Sequence, residues 1–304
     1  MAFSSTRVLL SGASGMLGSA LRSSFASRGQ QTLQLVRRPA TQPGQLSWNP
    51  AAPRPFAETG PLEGLSAAIH LAGANIAGHR WTPAYKQEMA VSRVQTTHAL
   101  ATALAALRQP PATLLVASAI GYYGDRGEEI LDETSTPGAG FFGDLCQQWE
   151  AAADPARQAG IRVVHLRLGV ILGPGPGALA RMLPPFRLGL GGPLGNGRQY
   201  MSWIALSDAV AAIHFLLETS SLAGPVNLTA PNPVTNAAFT RALARQLHRP
   251  AVFRAPAFAL RLALGQMAQE ALLASARVYP ARLAHANFHF AYPHIDQALA
   301  AALE

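Results

Sequence analysis

Near its beginning the chain reads Val8-Leu9-Leu10-Ser11-Gly12-Ala13-Ser14-Gly15-Met16-Leu17-Gly18-Ser19-Ala20-Leu21. A strand-like aliphatic run leads into three glycines spaced three residues apart, and a helical pattern follows them. Glycine lets the backbone approach a pyrophosphate closely, and the free amides at a helix amino terminus attract negative charge. The segment therefore predicts a dinucleotide-binding turn, with a glycine-rich turn that holds no ligand as the alternative. The residues expected at the cofactor are Gly12, Ser14, Gly15, Met16, Leu17 and Gly18.

Strand and helix patterns alternate through the first two-thirds of the chain. Short aliphatic runs typical of buried parallel strands occur at residues 7–10, 31–36, 67–71, 113–117 and 161–166. Longer helical patterns lie at residues 17–28, 83–107 and 143–159. This alternation predicts right-handed βαβ units, and therefore an α/β, Rossmann-like, doubly wound parallel sheet with helices on both faces.

Two adjacent arginines, Arg37 and Arg38, follow the second predicted strand. In dinucleotide-binding folds this position contacts the adenosine ribose, where an acid binds the 2′-hydroxyl of NAD and arginine suits the 2′-phosphate of NADP. Residues 28–38 contain no acid, and a guanidinium can bind phosphate through two parallel hydrogen bonds. We therefore predict NADP as the cofactor, with a solvated arginine pair at a strand end as the alternative.

The pattern changes after residue 172. Residues 173–197 are rich in glycine and proline and predict a loop-rich excursion, after which a helix at 207–218 and a strand at 226–228 resume the alternation. Further helices are predicted at residues 235–247, 256–277 and 295–303. We predict an NADP-binding domain over residues 1–172, to which residues 205–230 return, and a smaller mixed C-terminal substrate lobe from residues 173–204 and 231–304.

Composition limits the classes of protein that the chain can be. Of its 304 residues, 49% are hydrophobic and 13% are charged, which excludes wholesale disorder. The single cysteine, Cys146, excludes a disulfide framework and a cysteine-rich zinc site. Because His70, His165 and His214 are dispersed without further ligands at suitable spacing, we expect no metal site.

Arginine supplies almost all of the positive charge. The net charge is +8, and Lys86 is the one lysine among 24 lysine and arginine residues. The arginines are scattered rather than clustered, so we expect no nucleic-acid partner. The first ten residues lack the pattern of a secretory signal, and no run reaches 18 apolar residues. We therefore expect a cytoplasmic protein with no membrane partner, and we consider a homodimer as its assembly.

Several motifs resemble a known family. Three features resemble the extended short-chain dehydrogenase/reductases: the glycine spacing, the motif His70-Leu71-Ala72-Gly73 into which the third predicted strand runs, and residues 118–125 after the fourth strand. More specifically, the chain is similar to the atypical epimerase-like branch of the NAD(P)-dependent epimerase/dehydratase superfamily, often labelled cell-division-inhibitor-like, with its C-terminal module. The motifs that carry this similarity are Arg80-Trp81-Thr82, Ser92-Arg93-Val94, Trp149-Glu150, residues 167–173, residues 191–199, Ser202-Trp203-Ile204, Arg277-Val278-Tyr279-Pro280 and Phe288-His289-Phe290.

The resemblance implies further cofactor contacts. Arg93 stands where extended relatives have a cofactor-facing asparagine, and Val170 would lie near the nicotinamide. For Glu88 and Arg93 the alternative is an ordinary surface acid and base, and for Val170 a core position at a strand end. The residues that the resemblance places at the cofactor are Leu71, Ala72, Gly73, Glu88, Arg93, Ser118 and Val170.

The resemblance also shows that the usual catalytic groups are missing. The superfamily uses a serine, a tyrosine that transfers a proton, and a lysine four residues later that lowers the pKa of the phenol. Alignment on the Tyr-Gly motif puts Ala119, Phe142 and Cys146 at these three positions. Tyr123 is the best remaining candidate for a proton donor, with packing and a hydrogen-bonded hydroxyl as the alternative.

These residues lead to two functional hypotheses. The first is an NADP-dependent oxidoreductase or epimerase-like enzyme that acts on an unknown small substrate without the serine, tyrosine and lysine. The second is a non-catalytic NADP-binding sensor or regulatory protein. Trp149, Gln199 and Trp203 are the residues we expect to line a substrate cavity, although aromatic packing explains the two tryptophans equally well.

Overall fold

The computed structural model describes residues 7–304, within which strands and helices alternate along most of the chain. The strands are β1 (Arg7–Ser11), β2 (Gln31–Val36), β3 (Gln45–Ser47), β4 (Ala67–His70), β5 (Thr113–Ala119), β6 (Ile130–Leu131), β7 (Arg162–Leu168), β8 (Val170–Leu172), β9 (Tyr200–Met201), β10 (Trp203–Ala205), β11 (Gly224–Leu228), β12 (Val234–Thr235) and β13 (Arg277–Val278). The α-helices are α1 (Met16–Ser27), α2 (Pro83–Ala90), α3 (Thr96–Ala105), α4 (Phe141–Ala151), α5 (Asp154–Gln158), α6 (Ala178–Arg187), α7 (Leu206–Glu218), α8 (Asn236–Leu247), α9 (Ala257–Leu264), α10 (Ala281–His285) and α11 (Ile295–Leu303).

A seven-stranded parallel sheet forms the centre of the molecule, in the order β11-β7-β5-β4-β1-β2-β3. Its first strand is central, because Val8 lies between Thr32 of β2 and Ala67 of β4. The buried aliphatic residues of β1, β4 and β5 have apolar cores on both faces, as a doubly wound sheet requires. The predicted Rossmann-like α/β fold is confirmed.

The later part of the chain adds small sheets and helices beside the main sheet. Three two-stranded sheets pair β10 with β8, β12 with β9 and β13 with β6, and a separate apolar core joins α6, α8 and α11. Asp208 of α7 accepts hydrogen bonds from the amides of Ala291 and Tyr292, both at 2.9 Å, which fixes the approach to α11. Strand β11 returns to the main sheet beside β7. The division into two lobes at residues 172, 204 and 230 stays a prediction.

Several details differ from the sequence predictions. The helix predicted over residues 83–107 is interrupted by a π-helical turn at Val91–Gln95, and the excursion after residue 172 contains α6 despite two internal prolines. The helix predicted over residues 256–277 ends at Leu264, because Gly265 adopts φ +64°. Strand β3, only three residues long, and the six strands of the three two-stranded sheets were not predicted.

The close packing of the glycine turn gives a first prediction. A Cβ at Gly18 would lie 2.2 Å from the carbonyl oxygen of Gly12, so Gly18→Ala must displace backbone. We expect this substitution to lower the free energy of unfolding by about 1–3 kcal/mol in urea denaturation. A Cβ at Gly60 would meet nothing within 4 Å, so Gly60→Ala should change stability by less than about 0.5 kcal/mol. Equal effects at the two positions would contradict this packing.

Candidate functional site

The three glycines of the turn have different roles. Gly12 has φ +70°, and a Cβ on it would lie 2.8 Å from the backbone carbonyl carbon of Leu71. Gly12 therefore lies directly against the backbone of Leu71, which follows β4, and Gly18 of α1 lies directly against Gly12. These two close approaches pack α1 and β4 tightly against the turn. Gly15 is exposed at the amino terminus of α1, and the nearest atom to a Cβ there would be 3.4 Å away. The open space therefore lies above Gly15, where a phosphate can approach the helix amides.

A buried hydrogen-bond chain fixes the loop after β4. The Ser11 hydroxyl accepts from the amides of Leu71 and Ala72 and lies 2.6 Å from Nδ1 of His70. The Ser11 hydroxyl therefore donates its hydrogen bond to Nδ1. The neutral ring carries its proton on Nε2, which lies 3.2 Å from the Thr96 hydroxyl. Burial lowers the pKa of His70 to about 4, so the ring stays neutral. This holds Leu71 and Ala72 at the edge of the turn.

Arg93 is a buried cation without a carboxylate partner among the described residues. It lies in the π-helical turn, 6% exposed, and donates to the carbonyl oxygens of Met89 (3.2 Å) and Ala74 (2.8 Å). Its guanidinium carbon lies 5.1 Å from the Trp149 ring, and its buried Nε has no hydrogen-bond partner. A Cβ on Gly73 would lie 3.3 Å from that carbon. An incompletely paired positive charge therefore lies directly beside the exposed Gly73.

The arginine pair lies beside the glycine turn. Leu35 of β2 is opposite Ser11 of β1, so the residues after these strands leave the same edge of the sheet. Arg37 and Arg38 are both exposed there, and the Arg38 carbonyl oxygen accepts from the Ser47 hydroxyl at 3.0 Å. The structure thus brings together the glycine turn, the loop after β4 and two exposed guanidinium groups.

The positions of the usual tyrosine and lysine lie on α4 and are apolar. The Phe142 ring packs directly on Gly121, and a Cβ on Gly121 would lie 2.3 Å from that ring. Cys146 is fully buried, and burial raises the pKa of its thiol to about 12. Lys86, the single lysine, lies with its ammonium 5.1 Å from the centre of the Phe141 ring, on the outer part of the same apolar cluster. Neither residue that replaces the catalytic pair carries an ionised group.

Tyr123 is part of a buried polar network. The side chain is fully buried, and its hydroxyl donates to Oδ1 of Asn227 at 2.7 Å and accepts from Nη1 of Arg167 at 3.0 Å. Burial raises the pKa of this phenol to about 12 although Arg167 acts against it. The placement favours the packing interpretation and gives no support to Tyr123 as a proton donor to substrate.

The same network contains an ion pair that the sequence analysis missed. Glu150 of α4 binds Arg167 of β7 through two parallel hydrogen bonds of 2.8 and 2.9 Å, and both side chains are shielded from solvent. The hydroxyl of Ser118 donates to Glu150 at 2.8 Å, and the Tyr122 ring lies 3.4 Å from the guanidinium carbon. Burial alone would lower the pKa of Arg167, but the hydrogen bonds and charge of Glu150 raise it. An arginine directly after a strand that pattern predicts to be buried was the available signal, since a buried charge requires an acid.

The three residues proposed to line a substrate cavity are buried in different places. Trp149 donates from Nε1 to the Thr97 hydroxyl at 3.0 Å within the main core. Trp203 is fully buried in the core that joins α6, α8 and α11. Gln199 is 6% exposed and donates to the carbonyl oxygens of Leu194 and Leu272, both at 3.1 Å. These contacts hold the fold together and do not form one cavity wall.

Two further predicted cofactor residues lie on other elements. Glu88 is exposed on α2. Val170 is partly buried at the start of β8, where its amide donates to the Ser202 carbonyl oxygen at 2.9 Å. Within residues 7–304, no group of three histidine, cysteine or acidic side chains is arranged to hold a metal ion. None of the helices in that range is long and apolar enough to cross a membrane.

The Tyr123 network gives a second prediction. Tyr123→Phe leaves Oδ1 of Asn227 and Nη1 of Arg167 without their partner in a buried site. We expect it to lower the free energy of unfolding by about 1–3 kcal/mol. Tyr122→Phe keeps the ring that packs on Arg167 and should cost less than about 0.5 kcal/mol in the same urea titration. A Tyr123→Phe protein as stable as the wild type would refute the structural role.

Comparison with known proteins identifies the family. Residues 8–228 match the NAD dependent epimerase/dehydratase family, and residues 255–302 match a domain of unknown function, DUF1731. The chain is 44% identical over 294 residues to an epimerase family protein of Mycobacterium bovis, Mb2239, covering 96% of each chain. It resembles a crystal structure of human epimerase family protein SDR39U1 (isoform 2) with NADPH, with a TM-score of 0.87, 32% identity and coverage of 97% and 98%. It also resembles a nucleoside-diphosphate sugar epimerase structure from Corynebacterium glutamicum, with a TM-score of 0.80, 33% identity and coverage of 99% of this chain and 58% of that chain. The chain therefore belongs to the NAD dependent epimerase/dehydratase family.

Proposed function

We propose that the protein is an NADP(H)-binding oxidoreductase of the epimerase family that acts on a small substrate without the usual tyrosine and lysine. The observation that carries the cofactor assignment is the position of Arg37 and Arg38, exposed at the end of β2 and beside the glycine turn. Arginine at this position suits the extra phosphate of NADP. A similar human protein has been solved with NADPH, which supports the same choice.

The residues of this edge fit a dinucleotide. Gly15 leaves space at the positive end of α1, where the pyrophosphate would bind to backbone amides. Leu71 and Ala72, fixed by Ser11, would lie along the cofactor next to the turn. Arg93 offers a buried, incompletely paired positive charge beside Gly73, and a buried charge of this kind is stabilised by an anion. This incompletely paired cation supports a ligand at this part of the site.

The chain's own residues determine how the reaction would run. A bound nicotinamide would donate or accept a hydride. Phe142 and Cys146 would make the side of the substrate position apolar, and neither residue transfers a proton there. Lys86 lies against Phe141 of the same apolar cluster, whereas Arg93 is buried. Because it is buried, Arg93 is the better candidate to replace the fixed charge of the missing lysine. We therefore propose that the proton comes from water or from the substrate itself.

One observation favours a second function. The tyrosine and lysine positions are filled by packed Phe142 and buried Cys146, and Tyr123 is held inside a structural network. A sensor that binds NADP(H) without turnover would need the glycine turn and the arginines but no proton donor. The enzyme and the sensor can be distinguished by screening carbonyl compounds for NADPH oxidation at high protein concentration. Turnover supports the enzyme, whereas tight NADPH binding with no turnover on any compound supports the sensor.

The arginine pair gives a third prediction. We expect NADPH to bind at least about tenfold more tightly than NADH, a difference of about 1.4 kcal/mol. Arg37→Ala should remove most of this difference by weakening NADPH alone, because only NADPH carries the 2′-phosphate. Isothermal calorimetry with both cofactors measures the two affinities. Arg108→Ala is the matched control, since Arg108 is exposed before β5 at the opposite edge of the sheet. Equal affinities of the wild type for the two cofactors would exclude the NADP assignment.

Two buried arginines give a fourth prediction. Arg93→Met removes a charge that has no carboxylate partner, but it also removes the donors to the carbonyl oxygens of Met89 and Ala74. We therefore expect it to lower the free energy of unfolding of the cofactor-free protein by no more than about 1–3 kcal/mol. The same substitution should weaken NADPH binding at least about tenfold, because the anion loses its counter-charge.

The control for this prediction is Arg167→Met, which leaves Glu150 buried without its partner. That substitution should lower the free energy of unfolding by about 3–5 kcal/mol. Thermal unfolding with and without NADPH measures both effects. If Arg93→Met leaves NADPH affinity unchanged, Arg93 does not face the cofactor.

A further inference from the structure

Large apolar side chains are exposed together in the later part of the chain. They extend from the turn after α6, from the segment before α9 and from α9 itself. Each has between 56% and 76% of its surface exposed. These residues, hereafter the apolar surface, are Leu188, Leu190, Val252, Phe253, Phe258 and Leu262.

Backbone contacts show that the three segments are neighbours. The amide of Phe253 donates to the carbonyl oxygen of Gly191 at 3.1 Å, and Leu194 forms a bridge with Ala255. The turn at Gly189 lies against Pro250, which a Cβ on that glycine would approach to 3.7 Å. Helix α9 starts two residues after this bridge and buries none of its residues. Its Phe258 and Leu262, four residues apart, lie on one face of that helix.

The surroundings of the apolar surface are strongly basic. Arg187, Arg249, Arg254 and Arg261 are exposed within or next to the three segments. The sequence has no acid between residues 155 and 207 and none between 219 and 269. In the part of the chain that the structure describes, none of these four guanidinium groups lies within ion-pairing distance of a carboxylate. Positive charge therefore surrounds exposed hydrophobic side chains without local neutralisation.

Exposed apolar side chains surrounded by arginines favour a partner that offers both negative charge and an apolar layer. If two copies of the chain met through this surface, eight exposed arginines would come together. None of the three segments provides an acid to pair with them, so self-association through this surface is disfavoured. A folded protein partner would need its own acidic rim in register with the arginines. An anionic lipid surface supplies diffuse negative charge and an apolar layer below it, and requires no register.

We propose that the apolar surface and its four arginines bind the protein peripherally to the face of an anionic lipid bilayer. Phe253, Phe258 and Leu262 insert among the acyl chains near the headgroups, while Arg254 and Arg261 contact lipid phosphates. Arginine and aromatic residues are suited to this boundary because the apolar stem or ring is buried while charge stays at the headgroups. The absence of a spanning helix in residues 7–304 is compatible with this arrangement, since binding at the interface does not cross the bilayer. It revises the expectation of no membrane partner, which rested on the lack of a spanning segment.

The proposal is tested by sedimentation with vesicles, using the full chain. Vesicles of phosphatidylcholine with 30% phosphatidylglycerol should carry down the wild type at least about tenfold more effectively than pure phosphatidylcholine, and 0.5 M NaCl should remove most of that difference. Phe258→Glu with Leu262→Glu should abolish binding, and Arg254→Glu with Arg261→Glu should lower it strongly.

Matched controls separate this surface from general effects. Ile130→Glu introduces a charge at another exposed hydrophobic residue, 62% exposed on β6. Arg22→Glu makes the same charge reversal on the exposed face of α1. Both should bind vesicles like the wild type, and all variants should keep the wild-type circular dichroism spectrum.

Three results would overturn the proposal. The first is that the wild type does not bind anionic vesicles. The second is that the control variants lose binding as much as the surface variants do. The third is that the wild type sediments as a dimer in centrifugation without lipid while Phe258→Glu with Leu262→Glu is monomeric, because a second copy would then occupy the surface.

Discussion

The ion pair between Glu150 and Arg167 organises the carboxyl edge of the sheet. It joins α4 to β7 through two parallel hydrogen bonds and is shielded from solvent, so neither charge can lose its partner without a large cost. Ser118 donates to the acid and Tyr123 accepts from the arginine, which commits both hydroxyls to the interior. The strongest polar interaction near the expected active site is therefore structural.

Arg93 presents the opposite case. It is buried almost as deeply as Arg167, but its contacts are two backbone carbonyl oxygens, the Ser92 hydroxyl and the Trp149 ring, and its Nε has no partner. The π-helical turn that carries it interrupts an otherwise continuous helix, and such turns recur at functional sites. One arginine has its counter-charge within the fold, whereas the other lies beside Gly73 where a ligand would supply one. That difference is the physical basis for the binding site proposed at this edge, even though the usual proton-transfer residues are absent.

Much of the fold was predictable because it rests on local rules. The spacing of Gly12, Gly15 and Gly18 between a strand and a helix required a tight turn, and the aliphatic runs gave the main strands within a few residues. The sequence predictions failed where one sequence pattern is compatible with two local structures. Proline and glycine after residue 172 indicated a loop, but α6 forms there because its apolar residues Leu179 and Phe186 are buried. Hydrophobic periodicity predicts whether a residue is buried but does not identify the residue that it contacts. The pairing of Arg167 with Glu150, seventeen residues earlier, was therefore not predicted.

The candidate site was predicted less completely than the fold. The turn, the loop after β4 and the arginine pair meet at one edge as expected. Trp149 and Trp203 were expected to line a substrate cavity and Tyr123 to donate a proton, but aromatic residues pack cores equally well. Sequence alone gave no means to distinguish these two environments.

The most direct test of the account is a crystal structure of the protein with NADPH bound. We predict that the pyrophosphate lies above Gly15, that Arg37 or Arg38 contacts the 2′-phosphate, and that the guanidinium of Arg93 faces the cofactor beside Gly73. A structure in which the adenosine ribose lies away from both arginines, and in which Arg93 makes the same contacts as without cofactor, would contradict the account.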